Sequence, residues 1–222
     1  MKLLYKELTL AAHPSSIVFA FLGCLVLVPA YPYTVIFMFG CLASYLTFLN
    51  SRETNDIWYT SVLPVTKKEI VKGKFLVTVF FQLFQLIFSV PFVIMRNLIG
   101  IENNPVGIDA TAAWHGFGLI VYSVFDLIFL TTFYKSGYKA GKAFIIASIP
   151  MAVLMCLGEA CVHLPALNWL DSYNTQDIIR QIPILIIGII CYCICLVLAY
   201  RISVKRFEKV NFLNNLLAFI TL

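Results

Sequence analysis

Residues 50–74, NSRETNDIWYTSVLPVTKKEIVKGK, form a polar interruption between two long apolar runs, and the rest of the chain is organised around it. Within the interruption, Thr66-Lys67-Lys68-Glu69 fits the S/T-x-x-E capping box, with Thr66 as N-cap and Glu69 reaching back from the third helical position. Val65 and Ile70 stand where a hydrophobic staple would pack, and Pro64 blocks any helix from running through. A long helix is therefore predicted to start near Lys67 and to enter apolar surroundings near Phe75. Upstream, Ser51 or Thr54 can cap a short helix that must end before Pro64. Asp56 in its first turn suits the positive end of the helix dipole. That short helix carries Ile57, Trp58, Tyr59 and Val62, which read on their own as aromatics and aliphatics at headgroup depth.

Composition sets the class of the surroundings. The chain is 61% hydrophobic and 12% charged, with a mean hydropathy of +0.90, against roughly 25% charged residues in a soluble domain. A water-soluble core cannot absorb so much apolar surface, so the 222 residues read as one all-α membrane domain. A bilayer-spanning helix needs about 20 mostly apolar residues. Six candidates follow: Ser15–Val28, Tyr33–Leu49, Phe75–Met95, Ala113–Tyr134, Ala143–Val162 and Ile182–Tyr200. The first is short and must tilt, thin the bilayer or start at Pro14. Lys2 and Lys6 ahead of an apolar run ending Val28-Pro29-Ala30 also resemble a signal peptide, but apolar character resumes at Tyr33 and favours a hairpin.

The layout is thus 1–14 as a cytoplasmic amphipathic elbow, 15–49 as helices 1 and 2, and 50–74 as a cytoplasmic segment. Residues 75–134 hold helices 3 and 4, 143–200 hold helices 5 and 6, and 201–222 form a cytoplasmic tail. With both termini inside, fourteen of the sixteen Lys and Arg residues fall on the cytoplasmic side, leaving Arg96 and Arg180 outside. The net charge of +5 is mostly this topology signal and needs no nucleic acid to explain it. The seven cysteines nearly all lie inside apolar runs with no metal spacing; Cys191, Cys193 and Cys195 read as small packing residues.

The run Asn55-Asp56-Ile57-Trp58-Tyr59-Thr60-Ser61-Val62-Leu63-Pro64-Val65-Thr66-Lys67-Lys68-Glu69-Ile70-Val71 resembles the signature of small ABC-2-type export permeases. These carry an acidic-aromatic stretch and then a Leu-Pro-Val/Ile-Ser/Thr-basic-x-Glu-Ile-Val element between helices 2 and 3. Phe133-Tyr134-Lys135-Ser136-Gly137-Tyr138-Lys139 is similar to the family's aromatic-Lys-x-Gly-Tyr element, with Ser136 in place of the usual aromatic. Ser203-Val204-Lys205-Arg206-Phe207-Glu208-Lys209 resembles its charged finish, whereas the apolar tail 211–222 departs from it and could be an amphipathic extension. The likeness extends to peptide and drug exporter permeases, including the phenol-soluble-modulin type.

The resemblance implies a bacterial plasma-membrane half-transporter that pairs with a second permease subunit and two ABC ATPase subunits. The short helix would be the coupling helix, with Glu53, Asp56, Ile57, Trp58 and Tyr59 at the ATPase contact. No G-x-x-x-x-G-K-[ST] phosphate loop occurs, so ATP and magnesium are expected in the partner ATPase and no cofactor in this chain. Cargoes in the family include antimicrobial and cytolytic amphipathic peptides and drugs, and an amphipathic peptide is the expectation here. The alternatives are a drug or lipid exporter, a non-transporting immunity protein, or an intramembrane enzyme.

Ionisable residues within spans are functional suspects. Asp126 lies near the bilayer midplane in helix 4, either protonated or bonded to Tyr122, Ser123 or a neighbouring helix. Glu159 and His163 are four apart at the outer end of helix 5, as an exit gate for a cationic substrate or as a helix cap beside the outer loop. No pair suggests acid–base catalysis, so no catalytic residue and no metal ligand is nominated. The outer segments Asn97–Thr111 and Leu164–Gln181 are too short for a substrate-binding domain, and the second suggests a short interfacial piece.

Overall fold

A computed structural model of the chain describes residues 2–62, 64–101, 104–136 and 139–209. The expectations placed on the tail 211–222, on Leu63, on Glu102 and on the Gly137-Tyr138 pair lie outside the described residues, as does the side chain of Trp58.

The described chain is helical. Helix α1 (Lys2–Lys6) runs into a π-helical turn, Glu7–Ala11, and is followed by α2 (Pro14–Phe21) and a 3₁₀ stretch, Leu22–Leu27. Then come α3 (Val35–Glu53), α4 (Asp56–Val62), α5 (Lys67–Ile99), α6 (Ala112–Lys135), α7 (Ala140–Val162) and α8 (Thr175–Glu208), with a 3₁₀ piece, Pro165–Asp171, between the last two. Helices α3, α5, α6, α7 and α8 are each long and apolar enough to cross a membrane. The first apolar segment is shorter, Pro14–Leu27. It does start at Pro14, with the His13 ring nitrogen accepting from Ser15 N at 3.1 Å. Its second half tightens to 3₁₀ geometry, which rises about 2.0 Å per residue, so the segment spans about 24 Å of a roughly 30 Å hydrocarbon layer.

Two long helices outrun any membrane. At 33 and 34 residues, α5 and α8 are each about 50 Å long. The start of α5 is built as the motif at its root demands: Thr66 N donates to Glu69 Oε2 at 2.8 Å and Glu69 N donates to Thr66 Oγ1 at 3.3 Å. The hydroxyls expected to cap α4 are engaged elsewhere. Ser51 is buried in the last turn of α3, which runs one turn past Leu49, and Thr54 donates back to Asn50 O at 2.8 Å. Asn55 turns the chain instead, in the left-handed region at φ 52°.

Helix α6 is the axis of the bundle, packed most extensively against α8 and next against α7. Its side chains Trp114, Tyr122, Phe125, Phe129 and Phe133 are fully buried; Trp114 and Tyr122 meet Phe37 of α3, and Phe129 and Phe133 meet Phe48, in edge and tilted ring contacts. Large apolar side chains on α7 and α8, such as Ile145, Ile149, Ile187 and Ile190, point outward. That inversion of an aqueous fold is what a lipid environment allows.

Candidate functional site

The polar segment that separates α3 from α5 folds onto a ring of four charges. Lys6 Nζ lies 2.7 Å from Asp56 Oδ1 and 3.1 Å from Glu7 Oε1; Lys74 Nζ lies 2.7 Å from Asp56 Oδ2 and 2.5 Å from Glu7 Oε2. Cations and carboxylates alternate around a closed circuit, so each carboxylate oxygen faces one ammonium. Lys74 is wholly buried and also donates to Ser51 Oγ, so its three N–H donors have three acceptors. Lys6 donates to Thr60 Oγ1 at 2.7 Å, which closes the α4 side. A buried charge is tolerated only when paired and fully hydrogen-bonded, and this arrangement meets both conditions.

Burial alone would push the Asp56 carboxyl up, but Lys74 and then Lys6 outweigh it and hold the group below the usual carboxylate range. Burial likewise pulls the Lys6 ammonium down, and Asp56 and Glu7 reverse that, leaving it above its ordinary value. Asp56 and Lys6 are thus both charged at neutral pH.

The members come from separate elements: Lys6 and Glu7 from the amino-terminal helix, Ser51 from α3, Asp56 and Thr60 from α4, and Lys74 from α5. Helix α4 consequently has two unlike faces. Asp56, Ile57 and Thr60 turn inward, with Ile57 joining the main apolar cluster. Tyr59 is 62% exposed, and Glu53, at the end of α3, is exposed as well. Of the residues expected at a partner contact, Glu53 and Tyr59 therefore present themselves outward, whereas Asp56 directs both oxygens into the ring.

Asp126 stands elsewhere, wholly buried in the bundle. Its Oδ1 accepts from Gln82 Nε2 at 2.8 Å, and Gln82 Oε1 in turn accepts from Tyr192 OH at 2.7 Å, so α5, α6 and α8 are tied together. Its Oδ2 has no hydrogen-bond partner among the described residues. Tyr122 and Ser123 bond to other groups: Tyr122 donates to Gln85 Oε1 at 2.5 Å and Ser123 to Ile120 O at 2.7 Å.

At the opposite end of the bundle from α4, Glu159 and His163 part company. Glu159 accepts from Thr34 Oγ1 and, at 3.0 Å, from Ile108 N, pinning α7 to the start of α3 and to the loop before α6. His163 is exposed at the end of α7. Beside them Arg96 is paired with the buried Asp109, which also accepts from Asn104 N at 3.0 Å. Asp109 N donates to Asp171 Oδ1 at 2.5 Å, and burial pushes the Asp171 carboxyl up to about 6. A cavity of about 580 Å³ opens there, lined by Val162, Asn168, Asp171 and Tyr173.

Lys6, Glu7 and Lys74 were not among the site residues that the sequence suggested. A signal was present nonetheless. Lys74 continues the buried stripe Ile70, Val71, Val77, Thr78 and Phe81 at helical spacing, so its position on α5 faces the core.

No curated protein and no solved structure matches this chain. A family model described as ABC-2 family transporter protein matches residues 2–208, which takes in the ring, α4 and every long helix. The chain belongs to the ABC-2 transporter family, as the multi-pass membrane permease of an ABC transporter that works with an ABC ATPase.

Proposed function

We propose that this permease is the membrane half of an exporter in which α4 is the coupling helix, receiving motion from a separate ATPase through Tyr59 and Glu53. The observation that carries the reading is the two-faced character of α4, whose inner side is bound into a buried charge ring while Tyr59 stands 62% exposed. A short helix held this firmly at one face and open at the other is suited to transmit force between subunits. In this reading Pro14–Leu27 is a sixth span, both termini are cytoplasmic and the membrane is a bacterial plasma membrane. The assembly pairs the chain with a second permease subunit and two ATPase subunits, which bind ATP and magnesium. The cargo is amphipathic, most simply a cytolytic or antimicrobial peptide, in keeping with the exporter permeases that the run 55–71 resembles.

The test is co-expression with an ATPase encoded beside the permease, followed by purification and ATP-hydrolysis assays with synthetic amphipathic peptides. The wild-type complex is expected to co-purify and to hydrolyse ATP faster with peptide. Glu53→Lys combined with Tyr59→Ala is expected to weaken association by about tenfold or more, the scale of an exposed aromatic anchor. Equal retention of the ATPase by the double variant would remove the assignment of that face.

A further inference from the structure

The charge ring joins three elements that the chain itself connects only loosely. Helix α4 leaves α3 through the two-residue turn Thr54-Asn55, with Asn55 in left-handed backbone, and meets α5 across Pro64. Neither join is a continuous helix, so motion of α4 would not be carried along the backbone as along a rod. The side chains supply what the backbone lacks. Asp56 is fastened to Lys74 of α5 at 2.7 Å and to Lys6 of the amino-terminal helix at 2.7 Å, and Lys74 is fastened to Glu7 at 2.5 Å. Gly73 lets the Glu7 side chain lie against α5: a Cβ there would stand 3.3 Å from Glu7 Oε1 and 3.4 Å from its Cγ.

We infer that Lys74 is a positioning residue for energy coupling: through the ring it makes α4, the amino-terminal helix and the root of α5 move as one body. A push on α4 then enters the membrane along α5, with Ser51 of α3 held to the same body through Lys74. Helix α5 is suited to carry it, being 33 residues long and tied at its far end by Arg96 to Asp109, in the loop that precedes α6. The alternating charges explain why the linkage is firm in every direction. Shifting α5 or the amino-terminal helix separates the buried Lys74 ammonium from the buried Glu7 carboxylate, where no solvent replaces the lost partner. This inference rests on α4 being the coupling helix.

The test is hydrogen exchange on the whole permease–ATPase complex, with and without a non-hydrolysable ATP analogue. In the wild type, nucleotide is expected to alter exchange at α4 and also at the far corner, residues 96–109. Glu7→Gln with Lys74→Met removes one carboxylate and one ammonium, keeps the net charge unchanged and leaves Lys6–Asp56 of the four ring contacts. In that variant the nucleotide response is expected to remain at α4 and to fall about tenfold at residues 96–109, a size consistent with the coupling a contact network carries. Ser51→Ala, which deprives Lys74 of one acceptor, is the milder second variant, expected to lower the far response severalfold with the fold intact. A far response equal to wild type in both variants overturns the inference. If instead the wild type retains no ATPase, the coupling-helix reading itself falls, so the two failures are distinguishable.

Discussion

Asp56 shows how a carboxylate expected at a partner contact can be bound within its own chain. Its place in the first turn of a short amphipathic helix marks it for an anion-favouring role, yet the groups that claim it are Lys74, 18 positions on, and Lys6. Charge reversal there would set a third cation inside the ring, so it disturbs the fold of this corner as much as any partner contact. Tyr59 and Glu53 are the cleaner probes. Because Asp56 is held below its unfolded value, its contribution is present at any pH above the ordinary carboxylate pKa of about 3.9 and is lost only as acid drops through the lower folded value. Asp171 behaves in the opposite sense. Its carboxyl is raised to about 6, so the neutral form is the one the folded corner favours. That stability is fully present below the unfolded value of about 3.9 and fades as pH rises through the folded one. Amide exchange at Asp109, which donates to Asp171 at 2.5 Å, is therefore expected to accelerate between about pH 4 and 6 beyond its intrinsic pH dependence, and Asp171→Asn to abolish that excess. An unchanged profile in the variant would show that another group is responsible.

At the scale of elements, the segment before α5 could be drawn closely from local chemistry. A capping box is a contact between residues three apart, so its geometry is contained in a short stretch and appears as Thr66 and Glu69 place it. The caps suggested for α4 were not formed, because Ser51 belongs to the end of a longer α3 and serves Lys74. Helix pairing was illegible for the same reason in reverse. Nothing in the local pattern of α6 or α8 announces that Gly116 and Gly188 meet, yet their backbones cross so closely that a Cβ on Gly188 would stand 2.9 Å from Gly116 Cα. Small residues let helix backbones approach in a bilayer, where packing rather than hydrophobic exclusion holds helices together. Gly188→Val is expected to destabilise the α6–α8 contact by about 1–3 kcal/mol through overpacking, read as a lowered thermal midpoint of the detergent-solubilised protein. A midpoint equal to wild type would mean that the α6–α8 crossing accommodates a branched side chain at position 188.

For the whole molecule, the proposed orientation makes a direct claim about two exposed positions at opposite ends of the bundle. With the seven native cysteines replaced by alanine, His163→Cys is expected to react with a membrane-impermeant maleimide in intact cells. Glu53→Cys is expected to react only after permeabilisation, and the reverse pattern would invert the topology. The basic residues from which that orientation is argued have different roles in the folded chain. Lys6 and Lys74 are consumed by the ring, Arg96 by Asp109, and Arg206 donates to Thr131 O. The linear chain was enough to establish a membrane protein with long helices, a polar break at 50–74 and a helix start at Thr66, because apolar run length and capping are local and additive. Which charges face water and which are locked inside was decided only in three dimensions. Glu7 and Lys74 are 67 positions apart, and a lysine looks the same in a sequence whether it serves a headgroup or an internal carboxylate. The difference lies in which helices pack together, and burial then converts an ordinary cation into the hub of a ring.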